Sequence, residues 1–250
     1  MSEPMYYEKP VLLDRTKHRR RKVRASTSFA FARKANSVYL AGVEFGEACK
    51  EYAVVFTRGA GGKVAPVVML GLRRHENLFV DAQDRWSGRY IPAFVRRYPF
   101  VLADLPGQAL GVCIDEAYAG VNDAEGEPLF DAQGQDTPFL RNALDFLTEY
   151  QREYLRTEAF CKRLDQAGLL TEMNARADLV DGRSFTVGSV LVVDEKKLMA
   201  LPDATVLQLF RAGELHLVSL SNMQGLVDKM AARKSPLQPP PKPGKAAKAG

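Results

Sequence analysis

Apolar positions in the first half of the chain recur at twos or in short unbroken runs, the period of extended backbone. Ser26 to Ala32 alternates polar and apolar side chains and predicts a half-buried strand, and Ser37-Val38-Tyr39-Leu40 predicts another. Val43 to Tyr52 switches to helical spacing, with Val43, Ala48 and Tyr52 set among Glu44, Glu47 and Lys50. Two β-rich runs follow, Tyr52 to Thr57 and Val64 to Leu70; the Gly-rich Arg58 to Lys63 between them suits a hairpin tip. Leu78-Phe79-Val80, Phe100-Val101-Leu102 and Leu110 to Ile114 continue the strand pattern. The connections are too short for repeated crossover helices, so the sheet is expected to be antiparallel.

A long helix comes next. Thr137 can cap it, Pro138 suits its first turn and Gly168 supplies the stop. Leu140, Ala143, Leu144, Leu147, Tyr154, Leu155 and Leu164 form the expected apolar stripe. Met173 to Leu179 and Ser184 to Val193 read as a hairpin joined at Asp181-Gly182. Asp194 caps a short helix through Leu201, Asp203 opens another ending near Gly213, and Leu215 to Met230 forms the last. The expected class is therefore α+β: largely antiparallel sheet in the N-terminal half, one long helix, a β-hairpin and short C-terminal helices. No period of 20–50 residues points to a repeat protein.

Composition narrows the class. The chain has 250 residues, 46% hydrophobic and 26% charged, which excludes a wholly disordered, collagen-like or disulfide-dense protein. Cys49, Cys113 and Cys161 are widely spaced with no CxxC pair, so a reducing compartment is expected. No apolar run approaches the roughly 20 residues that span a bilayer. Met-Ser-Glu-Pro-Met-Tyr-Tyr lacks the basic-then-apolar order of a signal peptide. The expected location is cytoplasmic, and the expected protein is not integral to a membrane.

The net charge of +5 is unevenly placed. Residues 1–25 carry eight basic and three acidic side chains, and residues 229–250 carry six basic and no acidic ones. Between them 21 basic residues face 27 acidic ones, so the body is acidic. The expected division is a basic lead-in over 1–25, one α+β domain over 26–234 and a disordered Pro/Lys-rich tail over 235–250. The run His18 to Arg24 would suit an anionic partner, but a solvated lead-in to the first strand explains it as well. With an acidic body and no recognisable nucleic-acid module, no specific nucleic-acid binding is expected.

Little local chemistry emerges. Gly59-Ala60-Gly61-Gly62-Lys63 has the wrong spacing for a phosphate loop, and Val64 stands where a hydroxyl is needed. His18, His75 and His216 are scattered, so no metal site is expected, and no motif calls for a cofactor. Cys113 precedes two acids, Asp115 and Glu116, which disfavours a reactive thiolate and suits a buried thiol. Asp81, Asp115 and Glu116 are the weak candidates for acid–base catalysis; solvated loop positions explain them too. The richest stretch is Trp86 to Phe100, where Trp86, Arg89, Tyr90, Phe94, Arg96, Arg97 and Tyr98 combine aromatic and guanidinium groups. Such groups favour a binding surface. The alternative is a core helix whose arginines pair with Asp81, Asp115 or Glu116.

These residues also carry a resemblance. Phe29-Ala30-Phe31-Ala32, Val55-Phe56-Thr57, Glu76 to Asp81, Arg89 to Phe100, Cys113 to Glu116, Glu127 to Asp131 and Val192 to Glu195 resemble the SapC-like family, bacterial proteins linked by name to surface-layer protein production. The resemblance spans roughly residues 10–228. It implies an accessory or binding role in surface-layer or outer-membrane protein production, export or uptake. The implied partners are surface-layer, secretion, halogenase-like or cupin-like proteins. It supplies no catalytic residues. A transporter-permease description attached to some members conflicts with the lack of a spanning run. The competing expectation is a small-molecule- or peptide-modifying enzyme working through Asp81, Asp115 and Glu116.

Overall fold

The apolar runs at 53–58 and 64–69 pair in register from Ala53↔Met69 to Arg58↔Val64, and their connecting turn takes Gly61 and Gly62 to positive φ. The computed structural model describes residues 6–25, 28–104, 110–178, 182, 184–211 and 229–230. Its strands are β1 (Pro10–Leu12), β2 (Lys22–Val23), β3 (Ser37–Tyr39), β4 (Ala53–Arg58), β5 (Val64–Met69) and β6 (Phe100–Ala103). They continue with β7 (Gly111–Asp115), β8 (Val121–Asn122), β9 (Glu127–Pro128), β10 (Leu170–Asp178) and β11 (Ser184–Val193). The helices are α1 (Phe45–Ala48), α2 (Ala93–Arg96), α3 (Pro138–Gln166), α4 (Glu195–Met199) and α5 (Asp203–Arg211).

Three antiparallel sheets result: β10-β11-β4-β5-β3, β1-β7-β6 and β8-β2-β9. The fold is α+β. Helix α3 packs on β5, on β6 and on the 3-10 turn Gly42–Glu44, and so bridges two apolar cores. Phe56, Leu40, Tyr52 and Phe79 lie in the larger core with Phe160 and Leu164 of α3. Ile114, Leu129 and Phe100 lie in the smaller one with Leu140 and Leu147. Each such side chain contributes about 1.5–3 kcal/mol by leaving water.

Local punctuation behaves as expected at α3. Thr137 caps it by accepting from the Leu140 N–H at 3.2 Å, Pro138 opens it, and Gly168 takes φ 64° beyond its end. Asp194 likewise caps α4 through the Lys197 N–H. The hairpin of β10 and β11 forms, with Gly182 at φ 83°. The expected last helix lies largely outside the described residues, as do the Gly213 stop and the tail.

Several expectations are corrected. Residues 28–32 form no strand; Ala30–Ala32 is a 3-10 turn that buries Ala32. The helix expected over 43–52 shrinks to a 3-10 turn and the four residues of α1. Leu78 to Val80 makes only a single bridge, Val80↔Trp86. The α3 stripe shifts after Leu147 to Tyr150, Glu153, Thr157, Phe160, Cys161 and Leu164, leaving Tyr154 and Leu155 exposed. Glu153 and Thr157 look polar in sequence, yet the Thr157 hydroxyl donates to the Glu153 carbonyl at 2.6 Å and accepts from Gly42 N–H at 2.8 Å. A satisfied hydroxyl can occupy a buried helical position.

One loop is built twice. In Asp81-Ala82-Gln83-Asp84-Arg85 the Asp81 carboxylate accepts the N–H groups of Gln83 and Arg85. In Asp131-Ala132-Gln133-Gly134-Gln135 the Asp131 carboxylate accepts those of Gln133 and Gln135. Asp84 and Gly134 share the positive φ that such a turn requires, and the loops are closed by the bridges Val80↔Trp86 and Phe130↔Asp136.

Candidate functional site

The basic segment is part of the body. Strand β1 pairs with β7, and β2 lies between β8 and β9. Lys9 and Lys17 meet Glu116, Arg15 meets Asp136, Arg21 meets Asp123 and Arg24 meets Glu125. His18, expected in a solvated run, is fully buried; its Nδ1 accepts from the Asp14 N–H, and its Nε2 lies 3.3 Å from Glu116. Within the run His18 to Arg24, His18, Arg21 and Arg24 thus meet the body's own acids, Arg19 and Lys22 donate to the Ala132 and Ala124 carbonyls, and Arg20 faces water. These ion pairs are mostly exposed and each contributes about 0–1 kcal/mol.

Asp81 stands apart from Asp115 and Glu116, which are neighbours that both bond Lys9, one through its N–H and the other through its ammonium. Asp81 holds its own loop and pairs with Arg85, whose bonds lower its pKa. Asp115 is fully buried and accepts from the Glu8, Lys9 and Ala117 N–H groups and the Tyr98 hydroxyl. Glu116 is held at a pKa of about 2, below the ordinary 4.5, by hydrogen bonds from Lys17 and Lys9. Cys113 is a buried thiol whose pKa burial pushes upward.

The Arg/aromatic stretch is fixed by two carboxylates that sequence reasoning overlooked. Buried Glu44 accepts from the Ala41 N–H at 2.9 Å, the Tyr90 hydroxyl at 2.7 Å and the Ala93 N–H at 2.7 Å. Glu51 accepts from the N–H groups of Arg89 and Tyr90. Tyr52 donates to the Tyr90 carbonyl, and the Trp86 indole N–H donates to Tyr52 at 2.9 Å. Trp86 and Tyr90 therefore act largely as framework, and Arg89 is exposed. Glu44 and Glu51 stand some forty residues from their partners, so no local pattern announces them.

The arginines do not pair with Asp81, Asp115 or Glu116. Arg96 is exposed, donates to the Ile91 carbonyl and lies 5.2 Å from the Phe146 ring centre and 5.8 Å from that of Tyr90. Arg97 lies over Phe94 at 4.1 Å and Tyr150 at 5.0 Å; its Nε is buried without a hydrogen-bond partner. Burial raises the Tyr7 pKa to about 12, and Arg97 partly offsets that rise. Among the described residues neither Arg96 nor Arg97 forms an ion pair, because rings rather than carboxylates surround them.

Beside this segment, at the seam of the two cores, lies a cavity of about 420 Å³. Phe29 and Phe31 come to it from the 3-10 turn, Phe100 from β6, and Phe139 and Phe146 from α3. Arg24, Arg96 and Arg97 line it, and among the described residues no Asp or Glu does. Of the expected binding residues Arg96, Arg97 and Tyr98 reach the cavity, while Trp86, Arg89, Tyr90 and Phe94 do not. Phe139, Ala143 and Phe146 are spaced at four and three on α3, a periodicity that the sequence does carry. Their convergence on Arg96 appears only in the fold.

No described helix is long and apolar enough to cross a membrane, and no described group of His, Cys, Asp and Glu could hold a metal ion. A search of curated proteins gives no match, and no solved structure matches either. The family model described as SapC matches residues 13–226, from just after β1 to beyond the end of α5. The chain belongs to the SapC family.

Proposed function

We propose that this SapC-family chain is a soluble, cytoplasmic accessory protein that acts by binding. Its setting is the production, export or uptake of surface-layer or outer-membrane proteins, a context that the family name supports. The observation that carries the binding reading is the cavity wall, which gathers three arginines and, among the described residues, no carboxylate within an acidic body. Asp81, Asp115 and Glu116 meanwhile have bonds that hold loops and the N-terminal segment, which favours binding over acid–base catalysis. The partner is a protein of the surface-layer, secretion, halogenase-like or cupin-like kind, contacted at the Arg89–Arg97 face. The engagement of residues 9–24 with the chain's own acids supports the absence of specific nucleic-acid binding.

The test is co-purification of the tagged full chain from its native cells. Loss of a reproducible partner in Arg96→Ala plus Arg97→Ala, with circular dichroism unchanged, is the expected result. Retention of that partner by the folded double variant would refute the site assignment.

A further inference from the structure

We infer that the seam cavity is a receptor for a small organic carboxylate with a flat apolar body; this rests on reading the Arg/aromatic segment as a recognition site. Its volume of about 420 Å³ is in the usual range for small-molecule sites, roughly 300–1,000 Å³. Aromatic rings dominate the wall, with Phe29, Phe31, Phe139 and Phe146 approaching from different elements. Rings arranged this way favour a planar guest, because offset and edge-to-face contacts are their preferred geometry.

The charge pattern sets the guest's sign. Arg24, Arg96 and Arg97 contribute to the wall; Arg24 is already paired with Glu125, and among the described residues no Asp or Glu lines the wall. Arg96 is exposed, bonds through its Nε to Ile91 and lies beside Phe146 of the wall; the Arg97 guanidinium lies against Phe94 and Tyr150, outside the wall, with its Nε buried. A guanidinium fork matches the two oxygens of a carboxylate, and the bond is strong where water is scarce. Both phenols in the wall are already committed, Tyr98 to Asp115 and Tyr118 to the Arg24 carbonyl. Ser28 accepts from the Ala30 N–H at 3.4 Å, and Asn142 is the remaining neutral polar side chain of the wall. A peptide would bring an N–H and a C=O with every residue and leave most of them unmatched. The guest is therefore a small molecule with one charged end and little other polarity.

Isothermal titration of the full chain with naphthoate tests this. Expected is saturable one-to-one binding, weakened at least about 10-fold by Arg96→Gln, whose side chain is exposed and whose loss leaves the cores intact. Naphthamide keeps the flat body without the charge and should bind wild type at least about 10-fold more weakly. Ala143→Phe, which fills the cavity from α3, should abolish binding. Equal affinity for naphthoate and naphthamide would overturn the anion assignment, and decanoate binding as tightly as naphthoate would overturn the flat-body assignment. Tighter binding of a peptide ending in Phe, or no saturable naphthoate binding, would overturn the ligand class. If naphthoate fails while the double arginine variant still loses its protein partner, the ligand inference falls and the recognition reading stands.

Discussion

Glu44 offers the sharpest test of how the Arg/aromatic segment is held. Its side chain accepts three hydrogen bonds from groups separated by about fifty residues of chain: the N–H groups of Ala41 and Ala93 and the hydroxyl of Tyr90. Ala41 is 2% exposed and Ala93 7%, so in Glu44→Ala neither N–H finds water, whereas half-exposed Tyr90 does. Each stranded buried donor costs about 1–3 kcal/mol, which puts Glu44→Ala at about 2–6 kcal/mol. Glu44→Gln keeps the volume and one oxygen but turns an amide N–H₂ toward a donor, and should cost about 1–3 kcal/mol. Trp86 is the only tryptophan and lies on the same scaffold, so its fluorescence during urea unfolding reads both variants directly. The expected result is a lower midpoint at unchanged slope. A Glu44→Ala loss below about 1 kcal/mol would refute the claim that this carboxylate organises the segment.

Two further outcomes follow from the same reasoning. Lys17 and Lys9 hold the folded-state pKa of Glu116 at about 2, below the ordinary 4.5, with His18 also in contact. A depressed carboxyl pKa contributes stability that is present above the unfolded value and lost as pH falls toward the folded one. The stability gap between wild type and Glu116→Gln should therefore shrink from about pH 5 to pH 2, and a gap constant across that range in acid-unfolding curves would contradict it. Gly71 lies where an added Cβ would come within 2.1 Å of the Glu76 carbonyl oxygen, a backbone atom that cannot swing aside. Gly71→Ala should cost about 2–4 kcal/mol by thermal or urea unfolding, and a neutral substitution would show that the turn over 71–76 relaxes easily.

How much of this protein its sequence determines varies with the range of the forces involved. The β4–β5 hairpin, the capped helix α3, the β10–β11 hairpin and the Asp194 cap follow from neighbours a few residues apart, and periodicity and turn chemistry report them. The family, too, is legible, because its central block lies in one stretch of chain. The short 3-10 turn at Ala30–Ala32 is not: Phe29 and Phe31 alternate like a strand, yet aromatic contacts with Trp86, Tyr98 and Tyr6 organise that segment. Tertiary contact overrides local β preference there. The polar half of the α3 stripe is hidden for a similar reason, since Thr157 is buried only because Gly42 arrives from another part of the chain.

The candidate site belongs wholly to the second kind. Sequence reasoning finds Arg96, Arg97 and Tyr98 as a cluster and, beside a binding surface, offers carboxylate partners for the arginines, since opposite charges are the default partners. In the fold the acids are claimed elsewhere, Asp115 by backbone N–H groups and Glu116 by two lysines, and the arginines lie against rings instead. Composition fixes how many charges there are, and spacing fixes which face of a helix they occupy. Which charge meets which is decided by contacts across roughly fifty to a hundred residues, where desolvation and packing select the partner and no local pattern records the choice.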